Sequence, residues 1–111
     1  MAKTNPPFMS GVPELLILRL LGRQEMYGYE LVRAVRVISN DAFDLAEGVV
    51  YPVLHGLEKK KFLKAKRKSI AGRNRVYYTV TVKGKKRMSE LSGEWERVKG
   101  GIDSALGEQH G

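Results

Sequence analysis

The rhythm of apolar and polar positions changes along the chain, and each change marks an element. Val12, Leu15, Leu16, Leu18, Leu20 and Leu21 form a nearly continuous apolar run interrupted by Glu14 and Arg19. This predicts a short, mostly buried first helix closing near Gly22, with Pro13 in the first turn, where its missing N–H has no helical partner to lose. Tyr27, Leu31, Ala34, Val35 and Ile38 then recur at helical spacing, with Glu30, Arg33 and Arg36 on the opposite face. A second helix over Tyr27–Ser39 follows. Ser39, Asn40 and Asp41 make a polar turn, and Phe43 and Leu45, alternating with Asp44, predict a very short strand. A third helix is expected from about Glu47 to Lys61, with Val50, Val53, Leu54 and Leu57 inside and Tyr51, His55 and Lys59 sharing the outer face. Pro52 is tolerable there if the helix starts near Gly48. Ala46 and Glu47 supply no strong N-cap.

The pattern then shifts to strands. Phe62–Ile70 and Arg75–Val82 alternate and are rich in β-branched and aromatic residues, with Ala71-Gly72-Arg73-Asn74 between them as the turn of a hairpin. Tyr77 and Tyr78 are neighbours in a strand, so one is expected in the core and the other in solvent. The last segment, Thr81–Leu106, places Met88, Leu91, Trp95, Val98, Ile102 and Ala105 in alternating steps of three and four. That is the seam of a coiled coil, and the economical partner is the same helix of a second subunit. Gly93, Gly100 and Gly101 weaken this helix by about 1 kcal/mol each.

Charge changes the picture from architecture to partner. The chain has 111 residues and a net charge of +8. From Lys59 to Ser89 there are 13 basic residues and no acidic one, whereas the other 80 positions hold 7 basic and 12 acidic residues. A solvated face usually mixes signs; a stretch like this fits phosphate binding. Cysteine is absent, which excludes disulfides, thiolate metal sites and a cysteine nucleophile. The two histidines occur in no HExxH, and there is no GxSxG and no P-loop, so neither a catalytic site, a metal site nor a cofactor is expected. No apolar run is long enough to cross a membrane, and the first residues lack a signal-like core.

The expected fold is therefore mainly α with a small β-hairpin: a winged helix-turn-helix followed by a long C-terminal dimerisation helix. Its parts are a flexible arm over 1–11, the DNA-binding domain over 12–82, the dimerisation helix over 83–107 and a disordered tail over 108–111. A helix fits the major groove and a basic hairpin reaches the neighbouring minor groove or backbone. Tyr51, His55 and Lys59 are the candidates on the helix, and Lys66, Lys68, Arg73, Asn74 and Arg75 those on the wing.

The sequence resembles the PadR family of bacterial transcriptional regulators, in particular its small members with a single C-terminal dimerisation helix. The matching residues are Tyr27-Gly28-Tyr29-Glu30-Leu31, then Gly48-Val49-Val50-Tyr51-Pro52-Val53-Leu54 with Leu57-Glu58. Gly72-Arg73, Arg75-Val76-Tyr77-Tyr78, Thr81, Gly84 and Trp95 complete a set running from about Val12 to Ile102. One departure is visible: where the family usually ends the third helix with a glycine, Lys59-Lys60-Lys61 stands. The resemblance implies a dimeric, cytoplasmic, nucleoid-associated repressor that binds a palindromic operator in double-stranded DNA. It adds Tyr27, Gly48 and Val49 to the DNA-binding set. It also implies a small aromatic ligand stacked on Trp95 between paired helices, within the dimer interface that the spacing assigns to Met88, Leu91, Trp95, Val98 and Ile102. An aromatic at a seam position serves core packing equally well. Tyr27 and Tyr29 either reach phosphate or pack. Two rival readings are a winged-helix protein-interaction module and a non-specific nucleic-acid-binding architectural protein, separated from a specific regulator by the ratio of operator to random-DNA affinity.

Overall fold

The computed structural model describes residues 11–107. Helix α1 spans Val12–Arg23, strand β1 Met26–Tyr27, helix α2 Gly28–Ile38 and helix α3 Glu47–Lys59. Strands β2 (Leu63–Ile70) and β3 (Arg73–Val80) form the wing, and helix α4 runs over Val82–Ala105. Gly11 caps α1; the rest of the expected arm and tail lies outside the described residues.

Three helices close around one small core. Ile17 and Leu18 of α1, Leu31 and Val35 of α2, and Val50 and Leu54 of α3 are fully buried. Leu63 and Tyr78 seal the core from the sheet. The sheet has three antiparallel strands in the order β1-β3-β2, so the wing is a hairpin extended by a strand too short to show a pattern in sequence.

Several expectations need correction. Phe43 and Leu45 form no strand: Leu45 is buried and Phe43 half-buried, both as plugs from an irregular link. That link is fixed by Ser39, whose hydroxyl donates to Val35 C=O at 2.7 Å and accepts from Phe43 N–H at 3.0 Å. Asn40 and Asp41 take positive φ, which short polar side chains tolerate. Tyr77 and Tyr78 are both buried, because the outer face of the sheet carries its own cover. The hairpin turn is only Ala71-Gly72, both at positive φ as a two-residue primed turn requires; Arg73 and Asn74 belong to β3. Helix α3 stops at Lys59 rather than Lys61, and Pro52 sits inside it, so the Gly48 carbonyl has no amide four residues ahead to accept from.

Helix α4 begins where β3 ends. Thr81 caps it by accepting from Gly84 N–H at 3.0 Å. Its first half is packed on the protomer: Met88 lies against Gly22, and the Arg87 guanidinium donates to both oxygens of Glu14 at 2.9 and 3.3 Å. That hydrogen bonding raises the Arg87 pKa above its ordinary value. From Gly93 onward every described residue of α4 is exposed.

Candidate nucleic-acid interface

The exposed face of α3 comprises Gly48, Val49, Pro52, His55 and Lys59. Helical geometry puts these residues opposite buried Val50, Leu54 and Leu57. Tyr51, expected on this face, is half-buried instead. Its ring lies on Gly28, where an added methyl would come within 2.4 Å of it. Gly28 is therefore needed at the α2–α3 contact for want of space. Pro52 is the exposed position that the sequence pattern misses, because a proline bears first on where a helix can start.

Strand alternation sorts the wing into two faces. Lys64, Lys66, Lys68 and Ile70 share one face of β2, paired with Thr79, Tyr77, Arg75 and Arg73 of β3. Five basic side chains thus share the outer face. Arg67, Ser69 and Asn74 lie on the other face, with Leu63 and Tyr78 toward the core end. Burial raises the pKa of the Tyr78 hydroxyl, with Glu58 and Tyr51 adding to the shift.

The outer face is capped by a small stack of rings and cations. Tyr27 meets Tyr77 edge-on at 5.4 Å, the Arg75 guanidinium lies 4.3 Å from the Tyr27 ring centroid, and the Lys68 ammonium lies 5.0 Å from that of Tyr77. Lys68 is also ion-paired with Glu25. These contacts cover Tyr77. Sequence reasoning missed Glu25, since no local signal links it to a strand 43 residues away.

Tyr27 and Gly28 join the two readers. Gly28 touches Tyr51 of α3, and its neighbour Tyr27 touches Tyr77 and Arg75 of β3. The N-terminus of α2 therefore sits at the junction of the third helix and the wing. Glu30 stabilises that end by accepting from Tyr27 N–H at 3.2 Å. The structure thus brings Tyr27, Tyr51, Lys68 and Arg75 into one contiguous framework. It leaves Gly48, Val49, His55, Lys59, Lys66, Arg73 and Asn74 exposed on the faces around it.

The seam residues divide. Met88 and Leu91 pack against the protomer's own core, whereas Trp95, Val98 and Ile102 are exposed by 43%, 41% and 38%. Among the described residues no cluster of side chains could hold a metal ion, and no helix is long and apolar enough to cross a membrane.

Known proteins share this arrangement. A transcriptional regulator from Clostridium thermocellum superposes with a TM-score of 0.82 at 28% identity, covering 88% of this chain and 96% of its own. A PadR-like transcriptional regulator from Bacillus cereus gives 0.77 at 30% identity, covering 90% and 96%. In sequence, an uncharacterized protein X of Lysinibacillus sphaericus is 38% identical over 89 residues, 79% of this chain and 82% of that protein. The transcriptional regulator YqjI of Escherichia coli is 32% identical over 56 residues, half of this chain but only 27% of that protein. The model of the transcriptional regulator PadR-like family matches residues 17–90. This chain belongs to the PadR-like family of transcriptional regulators, and DNA-binding regulation is its function.

Proposed function

We propose that the protein is a homodimeric repressor that binds a palindromic operator and is released by a small planar ligand. The carrying observation is the junction at Tyr27-Gly28, which ties the exposed face of α3 to a wing face bearing five cations. In this reading α3 enters the major groove with Gly48, Val49, Pro52 and His55 foremost, while Lys66, Arg73 and the other wing cations free of an ion pair among the described residues hold the phosphate backbone. Tyr27 and Tyr51 position these readers more than they contact bases, because both rings are engaged within the protein.

Dimerisation rests on the second half of α4. Trp95, Val98, Ile102 and Leu106 make an apolar stripe that is left exposed among the described residues. A second copy of the same stripe covers it with closed two-fold symmetry. The two third helices then address half-sites about 34–36 Å apart, one turn of DNA. Trp95 lies within the seam, and its indole face suits a flat aromatic, especially a cationic one. It is the chain's single tryptophan, so its fluorescence reports that site alone. The protein so described works in the cytoplasm, on the nucleoid.

The test is fluorescence anisotropy with DNA from the gene's own upstream region against scrambled DNA of equal length. A preference of about a thousandfold or more is expected. Equal, salt-sensitive binding to both would favour an architectural role, and binding to neither would favour the protein-interaction reading. Quenching of Trp95 by a planar aromatic dye in DNA-free protein, with loss of the operator complex at the same dye concentration, tests the ligand step.

A further inference from the structure

Lys68 stands apart from the other cations of the wing. Its ammonium is ion-paired with Glu25 and lies over the Tyr77 ring, and both members of the pair are about one-third exposed. Among the described residues Lys64, Lys66, Arg67, Arg73 and Arg75 make no ion pair. Glu25 comes from the link between α1 and β1, and β1 is separated from β2 by the whole width of β3. The pair therefore straps the far strand of the wing to the helix-turn-helix across the central strand.

We propose that Glu25 is a positioning residue that withholds Lys68 from the phosphate-binding set and fixes the wing instead. The proposal rests on the DNA-binding reading above. A lysine that docks on phosphate gains affinity because the DNA releases condensed counterions. An ammonium neutralised by a carboxylate of its own chain brings no net charge to the backbone, so it leaves the salt dependence unchanged. Glu25 takes the place that a phosphate oxygen takes at Lys66 or Arg73.

The experiment measures binding of the full chain to a duplex of arbitrary sequence between about 50 and 200 mM salt. It compares the parent with Glu25→Gln, Lys68→Met, the double variant and Lys66→Met, each checked for parental helicity and melting. Each phosphate contact contributes about 0.9 to the logarithmic slope, which is about 3.5-fold in affinity over this range. Lys66→Met is expected to flatten the slope by about 0.9 per subunit. Glu25→Gln is expected to steepen it by the same amount, Lys68→Met to leave it near the parent value, and the double variant to return to that value. A slope insensitive to Glu25→Gln, or a loss at Lys68→Met equal to that at Lys66→Met, overturns the proposal alone. No binding by the parent, or no change at Lys66→Met, overturns the reading of the wing's outer face as the phosphate-binding surface and the proposal with it.

Discussion

Lys61→Gly is expected to stabilise the protein. Helix α3 ends in a pair of hydrogen bonds: Phe62 N–H donates to Leu57 C=O and Lys61 N–H to Glu58 C=O, both at 2.9 Å. This is the Schellman arrangement, which puts the residue after the cap in the left-handed region and sets an apolar residue beyond it against the last turn. Lys61 occupies that place with φ 70°. A left-handed L residue costs roughly 1–2 kcal/mol, because Cβ crowds the following carbonyl. Glycine escapes that cost but gives up about 0.4–1 kcal/mol through the greater freedom of its unfolded chain. The difference is a net gain of about 0.5–1 kcal/mol, which raises the melting temperature of a domain this size by about 2–8 °C. Lys61 is exposed and in no ion pair among the described residues, so little else is lost. Lys61→Ala is the control, since it removes the same charge and keeps the strained backbone. Melting is followed by circular dichroism at one protomer concentration, because the melting point of the proposed dimer depends on it. If the glycine variant melts no higher than the alanine variant, strain at Lys61 is not where this chain loses stability.

Gly84→Ala would place a methyl 2.1 Å from the Phe62 carbonyl oxygen, so the urea midpoint should fall by the equivalent of about 2–3 kcal/mol. Gly28→Ala drives a methyl into the Tyr51 ring and should cost about 1–3 kcal/mol, with most of the loss removed in a Tyr51→Ala background. Glu14→Gln leaves the Arg87 guanidinium without its charged partner between α1 and α4; a loss of about 1–2 kcal/mol is expected in denaturant titration. Val98→Asp should give monomers in analytical ultracentrifugation at micromolar concentration while the protomer keeps its fold, and a persistent dimer would place the interface elsewhere. Leu91→Asp is the poorer test, because Leu91 packs on the protomer's own core.

The elements most legible in the sequence are those whose patterns are local. The three short helices, the hairpin and the long last helix follow from periodicity, because burial on one face dictates which positions are apolar. What periodicity does not carry is contact between distant segments. Strand β1 is two residues long and exists only through its pairing with Tyr77 and Tyr78. Tyr77 was expected in solvent if Tyr78 is core, yet Tyr27 and Lys68 bury it from the far side of the sheet. Tyr51 sits at helical spacing from His55 and Lys59, but the absent side chain of Gly28 opens a slot that draws its ring inward. In each case a residue far along the chain decides. The lysine triplet at the end of α3 is visible as a departure from the family pattern; that its third member must adopt a left-handed backbone is not.

The placement of α4 bears on how a ligand at the seam could act on DNA. The first half of α4 is tied to the reading domain at several points: Gly84 against the Phe62 carbonyl, Lys83 Nζ donating to Lys60 C=O at 3.0 Å, Arg87 on Glu14 and Met88 on Gly22. The second half, with Trp95, Val98 and Ile102, is exposed and stands outside the core cluster of the described residues. In the proposed dimer, a change in how two such halves cross would pass to the reading domains as rigid-body rotation, with little flexing between. Helix α4 has 24 residues, which is about 36 Å. A rotation of about 10° at the seam moves a point about 30 Å away by about 5 Å, more than the rise of one base pair. Two third helices that match half-sites one turn apart lose their register at that displacement. On the proposed release mechanism, the ligand need only favour the altered crossing over the operator-bound one. It follows that substitutions loosening the ties of α4 to the reading domain, Glu14→Gln among them, should weaken the coupling between dye and DNA while leaving dye binding at Trp95 intact. Unchanged coupling in that variant would mean the signal does not travel through the first half of α4.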